Sequence, residues 1–224
     1  MSNSQISLGT FLTTALLAMA MLVGLGEFYT YSIGRLHVKP WIGVLAVHTV
    51  MSFVLILIRK PVREGLRLRG TPFWAWLPGP LVLVGAYLLA SNTATSGIPY
   101  SPAGYSEISY TVATVLIIPL VEEIVFRMGV TPFVSRFVGG WWALWFSAII
   151  FSVAHTQPSW ERVVGFQIGL PIGPFLLAIC CDIIVKRWGR IWPAVLFHSS
   201  CNATVYVFAK YNPSWLTHLG GLYM

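Results

Sequence analysis

Residues 112–140 read VATVLIIPLVEEIVFRMGVTPFVSRFVGG, an apolar run that takes in Glu122, Glu123 and Arg127 before the chain reaches Gly139-Gly140. An ionisable side chain at membrane depth costs about 2.5–3.5 kcal/mol on insertion scales, so these three charges pose a choice. If the helix ends at Arg127, they form a rim at its terminus. If it continues to about Phe137, bent near Gly129 and Pro132, they lie inside, and Gly139-Gly140 becomes the turn of an antiparallel helical hairpin. The continued helix is the reading that gives the other polar residues a place.

Spacing divides the charges. Glu123 and Arg127 are four residues apart on one helical face, the favourable order for an ion pair. Glu122 points about 100° away on the helical wheel and has no such partner. It is therefore a candidate general base. The rival reading is that all three neutralise one another as a packing device, since ion-pair networks also occupy clefts. Two further pairs bear on the choice. FSVAH sets Phe151 and His155 on one helical face, and HSSCN does the same for His198 and Asn202. Glu122 and His155 have their midpoint at 138.5, on the proposed turn. At a rise of about 1.5 Å per residue the hairpin predicts that they share one depth. His198 and Asn202 lie eight and twelve residues beyond Arg190, again near mid-span. His48, by contrast, reads as a hydrogen-bonded packing residue.

Composition sets the class around this motif. The 224 residues are 56% hydrophobic and 9% charged, with mean hydropathy +0.74, where a soluble domain carries about 25% charged residues. The expected fold is all-α: a polytopic integral membrane helical bundle of about seven transmembrane helices, near 8–26, 41–58, 73–90, 108–127, 141–157, 163–185 and 190–209. It forms a single membrane domain, 1–224, in which spans within 1–90 carry no signature and 108–208 hold the core helices. A net charge of +7 would suggest nucleic acid for a soluble protein. Here the basic residues fall in short loops, where they set topology, and no nucleic-acid partner is expected. With the N-terminus cytoplasmic, nine cations lie inside (Arg59, Lys60, Arg63, Arg67, Arg69, Arg136, Lys186, Arg187 and Arg190) against four outside. Trp41, Trp74, Trp76, Trp141 and Trp142 near span ends fit interfacial anchoring. Cys180, Cys181 and Cys201 lie in apolar stretches without CxxC spacing, as small hydrophobes. Asp182 falls at the inner end of the sixth span and reads as an interfacial residue near Lys186.

Glu122-Glu123 with Arg127 (EExxxR), Phe151 with His155 (FxxxH) and His198 with Asn202 (HxxxN) resemble, in order, the three motifs of the CAAX-prenyl-endopeptidase and bacteriocin-processing (Abi-type) intramembrane proteases. The resemblance spans roughly 108–208. One departure is local: the family commonly has Gly directly after the motif arginine, whereas here Met128 precedes Gly129. The resemblance implies hydrolysis of a peptide bond in a membrane-associated protein or peptide, within the lipid bilayer, by a glutamate-activated water. Glu122 would be the base and His155 would help to hold the water. His198 and Asn202 would stabilise the oxyanion, and Glu123 and Arg127 would orient the site.

No cofactor is expected. The alternative is a zinc version with Glu122, His155 and His198 as ligands and one water. Against it, the sequence has no HExxH spacing, and Arg127 would add positive charge beside the cation. Two other classes compete. One is a proton-coupled transporter, in which Asp182 joins the glutamates and histidines as a relay, although no internal repeat is visible. The other is a non-catalytic chaperone or immunity protein. A Cys201–His198 nucleophilic pair lacks an obvious third group. The expected location is the bacterial plasma membrane.

Overall fold

The computed structural model describes residues 9, 20, 23–24, 26–28, 31, 40–94, 108–156, 160–165 and 169–215. The expected first span, 8–26, and the end of the polar connection 91–107 lie largely outside these residues. Among the described residues the chain is helical, with one isolated antiparallel bridge, Ala94 to Pro213. In chain order the elements are α1 (Pro40–Ile58), α2 (Lys60–Gly65), a tight single turn Phe73–Trp76, α3 (Pro78–Asn92), α4 (Ile108–Val112), α5 (Ile118–Glu123), α6 (Thr131–Ala154), α7 (Trp160–Val164), α8 (Ile172–Trp188) and α9 (Trp192–Tyr211). Prolines at the first or second position start α2, α3, α5, α6 and α9, where the missing N–H has no intrahelical partner to lose.

The run from α4 to α6 is continuous, Ile108–Ala154. It is joined by two wide, π-type turns, Ala113–Ile117 and Ile124–Val130. The helix therefore does not stop at the charges. It stops at Gly139, whose φ of 77° and ψ of 159° break α6 into two arms, a conformation essentially restricted to glycine. The arms pack antiparallel. Thr131 meets Ser147 and Arg127 meets Phe151, pairs whose midpoint is residue 139. That is the hairpin read from the sequence.

Helix α1 runs parallel to the first arm. Ser52 Oγ donates to the Val121 carbonyl at 3.0 Å, and Arg59 Nη1 to the Met128 carbonyl at 3.0 Å. The two donors are seven residues apart, and so are the two acceptors, which fixes one register over two helical turns. A Cβ on Gly129 would lie 2.9 Å from Leu55 Cδ1, so the glycine makes room for the Leu55 side chain. α9 crosses the same arm antiparallel, as Tyr206 and Asn202 reach Thr114 while His198 reaches the glutamates.

Three connections meet at one end of the bundle. Ile191 N–H donates to Gly65 O, Trp192 Nε1 to Leu66 O, and Arg190 Nε to Arg69 O. Lys186 Nζ lies 5.7 Å from the Trp141 ring. The loops carrying the nine cations assigned to one side thus share one end. The outward faces are apolar: Phe53, Leu57, Leu81 and Val84 are exposed, while Glu122, Glu123, Arg127, Asp182, Ser147 and His198 are buried. A lipid solvent selects this inverted distribution.

Span boundaries differ from expectation. Among the described residues one run, Ile108–Ala154, is long and apolar enough to cross a membrane, and Leu45–Ile58 is a shorter apolar helix. The expectation of about seven spans therefore reduces to an all-helical chain with one clear spanning run. The segment expected at 163–185 is not one helix: α7 ends at Val164, and α8 starts at Ile172, after Gly169 and Pro171.

Candidate active site

The site is built on the short helix α5 between the two wide turns. Each turn ends at a proline, which brings no N–H to the helix ladder. Ile118 N–H bonds five residues back to Ala113 O, and Pro119 follows. The Thr114 carbonyl, five residues before Pro119, accepts instead from Asn202 Nδ2 at 2.8 Å. Glu122 and Glu123 come next, in the last turn of α5.

Glu123 is fully buried and both its oxygens are engaged. Oε2 accepts from Arg127 Nε at 2.9 Å, and Oε1 pairs with His198 Nδ1 at 2.9 Å. Arg127 turns a second edge to Asp182, Nη1 to Oδ2 at 3.0 Å, and lies 5.4 Å from the Phe151 ring centroid. Ser147 Oγ is 3.5 Å from the same Nη1 and 2.7 Å from Thr131 Oγ1, and that hydroxyl is 2.9 Å from Asp182 Oδ1. One guanidinium thus sits between two buried carboxylates, and two hydroxyls close the ring. Removing one member of such a buried pair costs about 3–5 kcal/mol, because an uncompensated charge is left behind.

Glu122 is buried too, at 6% exposure, but has a different setting. Its nearest charged neighbour is His198, with Nε2 at 3.7 Å from Oε2, beyond direct hydrogen-bond distance. His198 therefore stands between the two glutamates, one ring nitrogen bonded to Glu123 and the other facing Glu122. Phe151 packs beside it, ring centroids 5.9 Å apart. His155 reaches the cluster through the other edge of Phe151, at 4.5 Å, and is exposed. Its Nδ1 lies 2.8 Å from the Phe151 carbonyl, which can only accept. Nδ1 thus carries the proton, and in the neutral ring Nε2 is left as an acceptor. The hairpin register centred on Gly139 carries position 155 to the level of Glu122.

The structure thus joins Glu122, Glu123, Arg127 and His198 directly, adds His155 through Phe151, and links Asn202 to the same helix through Thr114. It corrects the reading of Asp182. This residue is not interfacial beside Lys186 but buried at 5% exposure, with Arg127 and Thr131 as partners. Lys186 points instead to Trp141. Asp182, Ser147 and Thr131 are the residues that motif reasoning missed. Ser147 and Thr131 were findable, being equidistant from Gly139. His48 packs flat against Phe126, centroids 6.3 Å apart. The three cysteines are free thiols.

Glu122 Oε2 and His198 Nε2 are close enough to share an ion, since zinc ligands stand about 2.0–2.2 Å from the metal. A third ligand is not gathered with them. Among the described residues no group of three or more His, Cys, Asp or Glu side chains is arranged for a metal ion.

The comparison with protein families matches residues 104–204 to the Rce1-like type II CAAX prenyl endopeptidases, just under half of the chain. Comparisons with curated proteins and with solved structures each give no match. The matched stretch contains all three motifs and also Thr131, Ser147 and Asp182. The segment that builds the buried site is thus the part of the chain that is similar to the Rce1-like type II CAAX prenyl endopeptidases.

Proposed function

We propose that the chain is an intramembrane endopeptidase that hydrolyses a peptide bond of a membrane-associated protein or peptide with a water activated by Glu122. One observation carries the assignment: both oxygens of Glu123 are committed to Arg127 and His198, while Glu122 has no hydrogen-bond partner among the described residues. A carboxylate free to accept a proton is what a general base requires.

In the proposed reaction Glu122 takes a proton from the water as its oxygen attacks the scissile carbonyl. His155 Nε2, an acceptor, holds the second water hydrogen. The carbonyl π electrons move to the oxygen, giving a tetrahedral oxyanion. Asn202 Nδ2 has two N–H bonds and uses one on Thr114 O, which leaves one for that oxyanion. His198 has its Nδ1 on Glu123, so it donates from Nε2 only when the ring carries both protons. Collapse breaks the C–N bond, and protonated Glu122 returns its proton to the departing amine. The products are a carboxylic acid and an amine.

The basic end of the bundle is assigned to the cytoplasm of a bacterial cell by the positive-inside rule, which puts the N-terminus inside. Comparing peptides that accumulate in Glu122→Gln cells with those of wild type tests the reading. An uncleaved precursor in the variant names the substrate and the side of cleavage. Identical peptide profiles, or a Glu122→Gln variant that keeps the full cellular phenotype, would turn the assignment towards a non-catalytic role.

A further inference from the structure

Helix α1 and Arg59 directly after it lie outside the segment that matches the family, yet among the described residues they supply two of the three side chains from other elements that bond backbone carbonyls of the run carrying the glutamates. Those carbonyls, Thr114, Val121 and Met128, recur every seven residues on one face and are bonded by Asn202, Ser52 and Arg59. The third is the most telling. The wide turn Ile124–Val130 closes with Thr131 N–H on Phe126 O, five residues back, and the next residue is Pro132. In α-helical spacing the Met128 carbonyl would accept from residue 132, but proline has no N–H to give. Arg59 Nη1 reaches it from α1 at 3.0 Å. Met128 itself packs with Val62, Ile124 and Ile191, and a Cβ on Gly65 would lie 2.7 Å from Met128 Cε. The turn is therefore clamped from one side by the end of α1 and the start of α2.

We infer that Arg59 is a positioning residue of the site. Its guanidinium takes the place of the N–H that Pro132 lacks, and so holds the wide turn that sets Thr131 and the arm beyond it against Asp182. The turn begins at Ile124, directly after Glu123. An α-helical repacking of that turn would leave Arg127 four residues from Glu123 on the same face, but would rotate Thr131 and the arm beyond it relative to Glu123, and with them the partners of Asp182. This role rests on Glu122 and Glu123 being the functional centre. Its test needs no cleavage, so the clamp and the proposed protease activity fail separately.

The experiment uses the full chain purified in detergent, as wild type, Arg59→Met, Arg59→Lys, Pro132→Ala and the Arg59→Met/Pro132→Ala double variant. Two quantities are read: the melting temperature, and the NMR signal of the His198 Nδ1 proton in histidine-labelled protein. Arg59→Met should lower the melting temperature by roughly 4–8 °C and shift or broaden the His198 signal. Arg59→Lys, which keeps a donor, should retain most of both. Pro132→Ala supplies a backbone N–H, so in its background Arg59→Met should lose most of its effect. An Arg59→Met protein that folds only with Pro132→Ala present supports the inference equally. Additive effects of the two substitutions, an unmoved His198 signal, or a double variant that still does not fold would overturn it.

Discussion

The two sides of helix α5 differ more than two adjacent glutamates lead one to expect. On one side Glu123, Arg127, Asp182 and Ser147 are sealed from solvent and bonded to one another, with Thr131 closing the ring. On the other, Glu122 has its nearest charged neighbour at 3.7 Å, His155 is exposed, and Asn202 is half-buried. A buried charge is tolerated when it is paired, and Arg127 is paired through Nε and Nη1, although its Nη2 is buried without a hydrogen-bond partner among the described residues. In the proposed reaction the closed side is framework, the open side receives the substrate and the water, and His198 belongs to both.

The widest separation should appear when each glutamate is neutralised in turn. Glu122→Gln is expected to lower cleavage of the accumulated precursor by about 10²–10⁴-fold, the range of a lost general base, while leaving the melting temperature close to wild type. Glu123→Gln removes the charge that both Arg127 and His198 face, and should cost stability first and activity as a consequence. Equal melting temperatures for the two variants, read by thermal unfolding in detergent, would erase the distinction between the sides. Next in size is Arg127→Met. It leaves the Glu123 and Asp182 carboxylates buried without their cation, at an expected cost of about 3–5 kcal/mol. Asp182→Asn keeps the Arg127–Glu123 pair and should cost less, about 1–3 kcal/mol. A larger loss from Asp182→Asn than from Arg127→Met would place the centre of the framework on α8 instead.

Which parts of this were legible in the sequence follows from how each is encoded. The hairpin was, because a paired glycine turn and a charge-bearing helix fix a register by counting, and the counted midpoint of 138.5 falls beside the observed break at Gly139. The division between Glu122 and Glu123 was also legible, because i, i+4 spacing is a local property. Asp182 was not. Its helix starts at Ile172, later than hydropathy suggested, and nothing local anchors the register of α8 against α6. Hydropathy also merged α7 and α8 into one segment, since it sums side chains and does not register that α8 starts afresh after Pro171. The bonds from Ser52 and Arg59 join residues 69 apart. Only the packed register of two parallel helices reveals them.

Asn202 lies on the boundary between the sides, so its substitution should show both effects at moderate size. Asn202→Ala removes the donor to Thr114 O, in the half-buried wide turn before Pro119. The unpaired carbonyl should cost about 1–3 kcal/mol of stability. If the second amide hydrogen serves the oxyanion, turnover should fall by a further 10²–10³-fold, roughly the effect of losing one such donor. Kinetics measured well below the melting temperature separate the two. A variant that is destabilised but turns over at the wild-type rate would assign Asn202 wholly to the framework.

The smallest effect expected is at the turn that sets the register, and it sharpens the comparison because no charge is touched. Gly139 has φ 77° and ψ 159°, a region that a side chain enters at a cost of order 1–3 kcal/mol. Gly140 follows without a positive φ, and a Cβ there would meet nothing within 4 Å. Gly139→Ala should therefore destabilise the chain by about 1–3 kcal/mol, while Gly140→Ala should be neutral or stabilise by up to about 1 kcal/mol through the unfolded state. Of the pairs set by the turn, Thr131 with Ser147 and Arg127 with Phe151 are in direct contact and lie on the closed side, whereas Glu122 and His155 share only a level. Strain at Gly139 should thus loosen the framework before it alters Glu122. In thermal unfolding and precursor cleavage measured together, Gly139→Ala should lose melting temperature while keeping most of its activity at low temperature. Loss of activity without loss of stability would mean that the hairpin register acts on Glu122 directly, and that the two sides are less separate than their bonding suggests.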